Sequence, residues 1–129
     1  MRIATWNINS IRLRLPQVLR FIKKQDIDIL CLQETKTPDE FFPKDELENY
    51  GFKHLYYRGE KSYNGVAIIS KYEFSDTNYI NWCKKKDTRH IYVKIKNNVE
   101  LHNFYVPAGG DEPDISINPK FEHKISFIN

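Results

Sequence analysis

The most constraining feature of this chain is a nearly continuous apolar run, Ile27 to Leu32, interrupted only by Asp28. A run of this length and density marks a strand buried on both faces. Upstream, Leu15, Val18, Leu19 and Ile22 fall at i, i+3, i+4 and i+7, the spacing of one helix face. Pro16 opens that pattern, because the first turn has no partner for a missing N–H. Lys23 and Lys24 suit its last turn, where cations meet the negative end of the helix dipole. Arg2 to Trp6 reads as a strand that ends at Asn7. Strand, helix and buried strand make a βαβ unit, so the two strands are expected to be parallel.

The middle of the chain is antiparallel in character. Lys53–Arg58, Val66–Ser70, His90–Lys96 and Val99–Val106 read as strands. Ile91, Val93 and Ile95 alternate with polar residues, so that strand buries one face. Asn97-Asn98 is a two-residue hairpin turn. Asp111 to Pro119 is a polar loop, and Phe121, Ile125 and Ile128 then begin an amphipathic helix close to Asn129, as if it were cut off. A chain of 129 residues is one domain by length. Its composition, 40% hydrophobic and 29% charged, excludes a disordered chain. The net charge of +3 permits a polyanionic partner without demanding one. The basic runs Lys23–Lys24 and Lys84–Lys86 read first as solvated faces. Cys31 lies in the apolar run and reads as a small buried hydrophobe. No signal peptide or bilayer-spanning run is found, so no membrane is expected and the expected location is cytoplasmic.

Asn7 and Glu34 each follow the end of a strand. In parallel neighbours both side chains emerge at the carboxyl edge of the sheet, where open α/β sheets bind ligands. An amide oxygen and a carboxylate form a hard, oxygen-only pair suited to Mg²⁺ or Mn²⁺. On spacing alone the plainer reading leads: Asn7 turns the chain and Glu34 is a solvated loop acid. Zinc does not fit, since His54, His90, His102 and His123 are scattered and the cysteines are far apart. There is no nucleophile elbow, glycine-rich phosphate loop or dinucleotide fingerprint. Tyr105 closes the Val99 strand, either as packing or as a phenol beside a phosphate at the same edge.

Five blocks stand in order along the chain: Trp6-Asn7-Ile8-Asn9-Ser10-Ile11-Arg12, Leu32-Gln33-Glu34-Thr35-Lys36, Tyr63-Asn64-Gly65-Val66-Ala67, Thr88-Arg89-His90-Ile91 and Asn103-Phe104-Tyr105-Val106-Pro107. Together they resemble the first half of the exonuclease III family of apurinic/apyrimidinic endonucleases. The resemblance implies that Asn7 and Glu34 are metal ligands, that Asn9 is their neighbour, and that Tyr105 lies beside the scissile phosphate. It places Lys36, Tyr63, Asn64 and Arg89 toward the DNA backbone, with Lys120 and Lys124 as further candidates. It implies Mg²⁺ (or Mn²⁺) as cofactor and double-stranded DNA with abasic sites or 3′ ends as partner. Ala108 departs from the family, which often carries an amide side chain after the Tyr-Val-Pro block.

The implied fold is α/β (α+β): one half of a four-layer α/β/β/α sandwich of the DNase I-like endonuclease/exonuclease/phosphatase type. Residues 1–129 are expected to be its amino-terminal half, with the carboxy-terminal half absent. The family's Gly-Asp-x-Asn and Ser-Asp-His segments are not found: Gly110-Asp111 is followed by Glu112-Pro113, and Ser75-Asp76 by Thr77. The first of these carries the aspartate that activates water. The expectations are therefore an inner sheet face left bare, self-association or a complementary carboxy-terminal half chain, and no nuclease activity alone. Two further readings remain: another phosphoesterase of the same fold, or a split-gene remnant with weak DNA or partner binding.

Overall fold

Residues 3–33 form the expected parallel unit, in a computed structural model that describes all 129 residues. Strand β1 (Ile3–Asn7) leads into helix α1 (Ile11–Lys24) and strand β2 (Ile29–Gln33). β1 and β2 are parallel, with Asn7 opposite Gln33, so both strands end at one edge. The helix starts earlier than its Pro16 suggests, and Pro16 lies inside it. Tertiary bonds set the start instead: Ser10 N–H donates to Glu34 O at 2.8 Å and Ile11 N–H to Thr35 O at 3.1 Å. Burial of Ile11, Val18 and Ile22 offsets the internal helix bond that Pro16 cannot make.

Strands β3 (His54–Arg58) and β4 (Val66–Ser70) complete a first sheet of order β1-β2-β4-β3, in which β4 is antiparallel to both neighbours. Between β2 and β3 lies α2 (Lys44–Asn49), which the sequence did not signal because it buries a single residue, Leu47. A second, antiparallel sheet contains β5 (Asp76–Asn78), β6 (His90–Ile95) and β7 (Val99–Phe104), in that order. Strand β5 carries no sequence signal, because Asp76-Thr77-Asn78 is short and polar. The β6–β7 turn uses Asn97 and Asn98 at φ 63° and 54°, left-handed values that suit a tight hairpin and that asparagine tolerates. Strand β7 stops at Phe104, short of Val106. Helix α3 (Pro119–Ile128) is capped by Asn118 Oδ1, which accepts from Lys120 N–H at 3.0 Å.

Each face of the first sheet has its own core. On one, Leu30, Leu32, Ala67 and Ile69 meet Ile11, Val18 and Ile22 of α1, together with Leu47 and Phe52. On the other, Ile29, Cys31, Val66 and Ile68 meet Ile91, Val93 and Ile95 of the second sheet. The expectation of a bare inner face is therefore corrected in part. The apolar positions of β6 belong to a second sheet within this chain that covers the face over β2 and β4, while Ile3 and Thr5 of β1 stay exposed on it. Beyond it, α3 starts an outer layer through Phe127, whose ring centroid is 6.2 Å from Trp82 and 6.3 Å from Phe104. Strands β1 and β7 remain free edges, and they border one groove lined by Ile3, Thr5, Gln33, Leu101 and Phe104 among others. No helix is long and apolar enough to cross a membrane.

Candidate active site

Strands β1, β2 and β7 end together, and each ends on a polar residue or hands over to one. Asn7 is the last residue of β1, Glu34 follows β2, and Tyr105 follows β7. Tyr105 stays in register because its N–H donates to Arg89 O at 2.8 Å, one step beyond the β6–β7 ladder. Three side chains from two sheets thus reach one point. Tyr105 Oη donates to Glu34 Oε1 at 2.7 Å, and Asn7 Nδ2 donates to the same oxygen at 2.9 Å. Lys36 Nζ stands 3.1 Å from Glu34 Oε2 and donates to Asn9 Oδ1 at 2.6 Å.

These contacts set the protonation states. Partial burial works against the Glu34 charge, but the hydrogen bonds from Asn7 and Tyr105 and the Lys36 ammonium outweigh it, and the carboxyl lies below its ordinary value. Burial raises the Tyr105 phenol, and the Glu34 hydrogen bond and charge raise it further, with Arg89 opposing. Glu34 is therefore a carboxylate and Tyr105 a neutral donor at neutral pH.

The surrounding backbone is strained. Asn9, Ser10, Glu34, Lys36 and Asn64 all have positive φ, at 46°, 86°, 54°, 51° and 46°. Left-handed residues with a Cβ cost roughly 1–2 kcal/mol each and persist where surrounding contacts force them, as they often do at functional sites. Here Thr35 N–H donates to Gly65 O at 3.2 Å and Lys36 N–H to Asn64 O at 3.0 Å, pinning the Glu34 loop to the turn before β4. Gly65 has φ 90°, and a Cβ there would run into Thr35 Oγ1. The approach of these two loops requires glycine.

The donor set fits a hydrated divalent cation. No group of three or more His, Cys, Asp or Glu side chains exists to cage a metal. One carboxylate and one amide side chain suit Mg²⁺, which keeps several waters and takes the rest of its shell from substrate phosphate. The Lys36 ammonium, seated between Glu34 Oε2 and Asn9 Oδ1, shows that the spot favours positive charge.

The other expected residues divide. Arg89 lies under the tyrosine: its Nε donates to Asp87 Oδ2 at 2.7 Å, its Nη1 to Tyr105 O at 3.2 Å, and its guanidinium is 4.7 Å from the Tyr105 ring centroid. Tyr63 is 70% exposed at the turn that holds the Glu34 loop. Asn64 contributes its carbonyl to that loop. Lys124 Nζ reaches Ala108 O at 3.4 Å, while Lys120 is exposed on the first turn of α3, and neither hydrogen-bonds to Asn7, Glu34 or Tyr105. Sequence reasoning missed a partly buried network beneath the site. Gln33 Nε2 donates to Asn103 Oδ1 at 2.7 Å and to Thr5 Oγ1 at 2.9 Å. The available signal was periodicity: Asn103 occupies the inward slot of the Val99, Leu101, Asn103, Tyr105 alternation.

Comparison with known proteins identifies the family and the fold. Exodeoxyribonuclease III of Haemophilus influenzae is 40% identical over 73 residues, which are 57% of this chain and 27% of that protein. An AP endonuclease from Archaeoglobus fulgidus, 36% identical, superposes with a TM-score of 0.87, covering 99% of this chain and 48% of its own. A 3′ phosphatase, NExo from Neisseria, solved with a product DNA hairpin, is 35% identical with the same TM-score, covering 98% of this chain and 48% of its own. The chain thus spans about half the length of these solved relatives. Its fold is that of the DNase I-like AP endonucleases and exonucleases. With residues 4–122 matching the Endonuclease/Exonuclease/phosphatase family, the chain belongs to that family, and its relatives are of the exonuclease III type.

Proposed function

We propose that this chain carries one half of the active site of a divalent-metal-dependent DNA repair nuclease of the exonuclease III type. The observation that carries the reading is the meeting of Asn7, Glu34 and Tyr105, from three strand ends and both sheets, within 2.9 Å hydrogen bonds. Glu34 and Asn7 would hold Mg²⁺ or Mn²⁺, with Asn9 beside them. When bound, the ion spreads the negative charge that develops on a phosphodiester under attack. Tyr105 would present its hydroxyl to that phosphate. Lys36, Tyr63, Asn64 and Arg89 flank the same edge and meet the DNA backbone, with Lys120 and Lys124 farther along the strand. The substrates are duplexes with abasic sites or 3′ ends, in line with the names of the relatives.

The base that orients and deprotonates water is not among these residues, and general acid–base catalysis is worth about 10²–10⁴ in rate. The 129 residues therefore bind metal and DNA but do not cleave. A complementary carboxy-terminal half supplies the rest. The groove between the free edges of β1 and β7 supports this, since it offers unpaired strand edges beside exposed Ile3 and Phe104.

The test is Mn²⁺ binding by electron paramagnetic resonance, together with cleavage of an abasic-site duplex. The chain is expected to bind Mn²⁺, and Glu34→Ala to weaken that binding by more than the about 10–100-fold lost when a group behind a metal ligand is removed. Cleavage is expected only after a complementary half is added. Absence of Mn²⁺ binding would sink the metal reading, and Glu34-dependent cleavage by the chain alone would sink the half-site reading.

A further inference from the structure

The contact between Tyr105 and Glu34 joins two sheets whose shared core is apolar, with Arg58 Nη1 donating across to His90 O at 3.2 Å as one further polar tie. Apolar contact is non-directional. Sliding one sheet an ångström along the other would keep most of its burial and lose a 2.7 Å hydrogen bond. Something directional has to set the register between the sheets.

Asn103 has the geometry to do this. It is 2% exposed and lies on the face of β7 that looks at the first sheet. Its Nδ2 donates to Leu32 O at 2.8 Å and to Ala67 O at 2.9 Å. Leu32 and Ala67 are paired across β2 and β4, so the amide spans two neighbouring strands of the opposite sheet. Its Oδ1 accepts from Gln33 Nε2 at 2.7 Å, and Gln33 Nε2 also reaches Thr5 Oγ1 on β1 at 2.9 Å. One side chain of the second sheet is thus tied directly to β2 and β4 of the first, and through Gln33 to β1. The tie lies directly under the site: Asn103 stands just before Phe104 and Tyr105, and Leu32 and Gln33 just before Glu34.

We infer that Asn103, with Gln33, is a cross-sheet latch that positions Tyr105 against Glu34. Both are positioning residues, not catalytic ones. The inference deepens the function proposed above and rests on its assignment of the Glu34–Tyr105 site. A polar plug that merely fills a core hole would add stability without controlling that contact.

The experiment follows the Tyr105 hydroxyl proton by NMR in the full chain with labelled tyrosine, and Mn²⁺ affinity in parallel. Asn103→Leu is expected to speed hydroxyl exchange by about tenfold or more and to weaken Mn²⁺ binding by about tenfold, the range seen when groups behind metal ligands are removed. Gln33→Leu keeps the bonds from Asn103 to Leu32 and Ala67, and a smaller acceleration is expected. Val93→Ala, which thins the same inter-sheet core, is expected to lower stability while leaving hydroxyl exchange within about twofold. Unchanged exchange in Asn103→Leu would overturn the latch, as would an equal acceleration in Val93→Ala. If Asn103→Leu does not fold, Gln33→Leu decides, and unchanged exchange there overturns the latch. Wild-type chain that ignores Mn²⁺ but shows the expected exchange pattern would sink the metal assignment and keep the latch.

Discussion

The layer between the two sheets has two unlike ends. At the end where β2 and β7 begin, Ile29, Val93 and Ile95 meet in contact with no polar partner. At the end where those strands finish, Thr5, Gln33, Asn103, Tyr105 and Glu34 are joined by hydrogen bonds. The apolar end governs how firmly the sheets hold together. The polar end governs where they hold. Sites that need reacting groups within tenths of an ångström are built on the second kind of contact, because burial alone does not distinguish neighbouring registers.

The comparison breaks most visibly at the apolar end. Ile95→Ala empties a position that is 1% exposed and is expected to cost about 2–5 kcal/mol in urea unfolding. The Glu34 carboxyl, followed by NMR titration, should keep its depressed value. A site that lost its low pKa together with the isoleucine would show that the two ends are one unit.

Acid produces the next effect. His90 backs the second sheet near the site, opposite Phe104. Burial pushes its imidazole down to about 4, with His102 and Arg58 adding to the shift. Its ordinary value is about 6.5. Between those values the unfolded chain binds the extra proton, so stability rises with pH across the window and falls on acidification. From pH 7 to pH 4 a shift of this size corresponds to a loss of at most about 3 kcal/mol. His90→Gln, whose side-chain oxygen can still accept from Ile80 N–H, should flatten the pH dependence of the urea midpoint in that window.

The smallest effect belongs to the polar end. Tyr105→Phe removes one donor from Glu34 Oε1 and is expected to cost about 1 kcal/mol. Because that donor lowers the Glu34 pKa, the carboxyl should titrate closer to its ordinary value. A depressed pKa contributes stability above the unfolded value, and that stability is lost as pH falls through the folded one. The variant should therefore be less acid-sensitive in that range.

Much of this was legible in the sequence because it is local. The Ile27–Leu32 run and the helical spacing before it announced the parallel unit, and strand ends placed Asn7 and Glu34 at one edge. Asn97-Asn98 marked the hairpin. Less legible was whatever depended on distant partners. Pro16 misled about the start of α1 because Glu34 O and Thr35 O, far along the chain, accept from Ser10 and Ile11. Short elements such as β5 and α2 carry too few apolar residues to show a period. The role of Arg89 under Tyr105, and that of Asn103 between the sheets, depend on which strands become neighbours across the layers. Periodicity within one strand does not contain that information.

The Tyr105–Glu34 hydrogen bond closes a loop of 71 residues. Contacts so remote in sequence carry a large closure entropy and form late, after the local hairpins and the βαβ unit have paid for their own order. A chain with both sheets formed but undocked would hold Glu34 and Tyr105 apart. The tyrosine hydroxyl is thus a built-in clock for folding: its protection should be the last to arrive in refolding, and metal binding should lag behind the recovery of secondary structure.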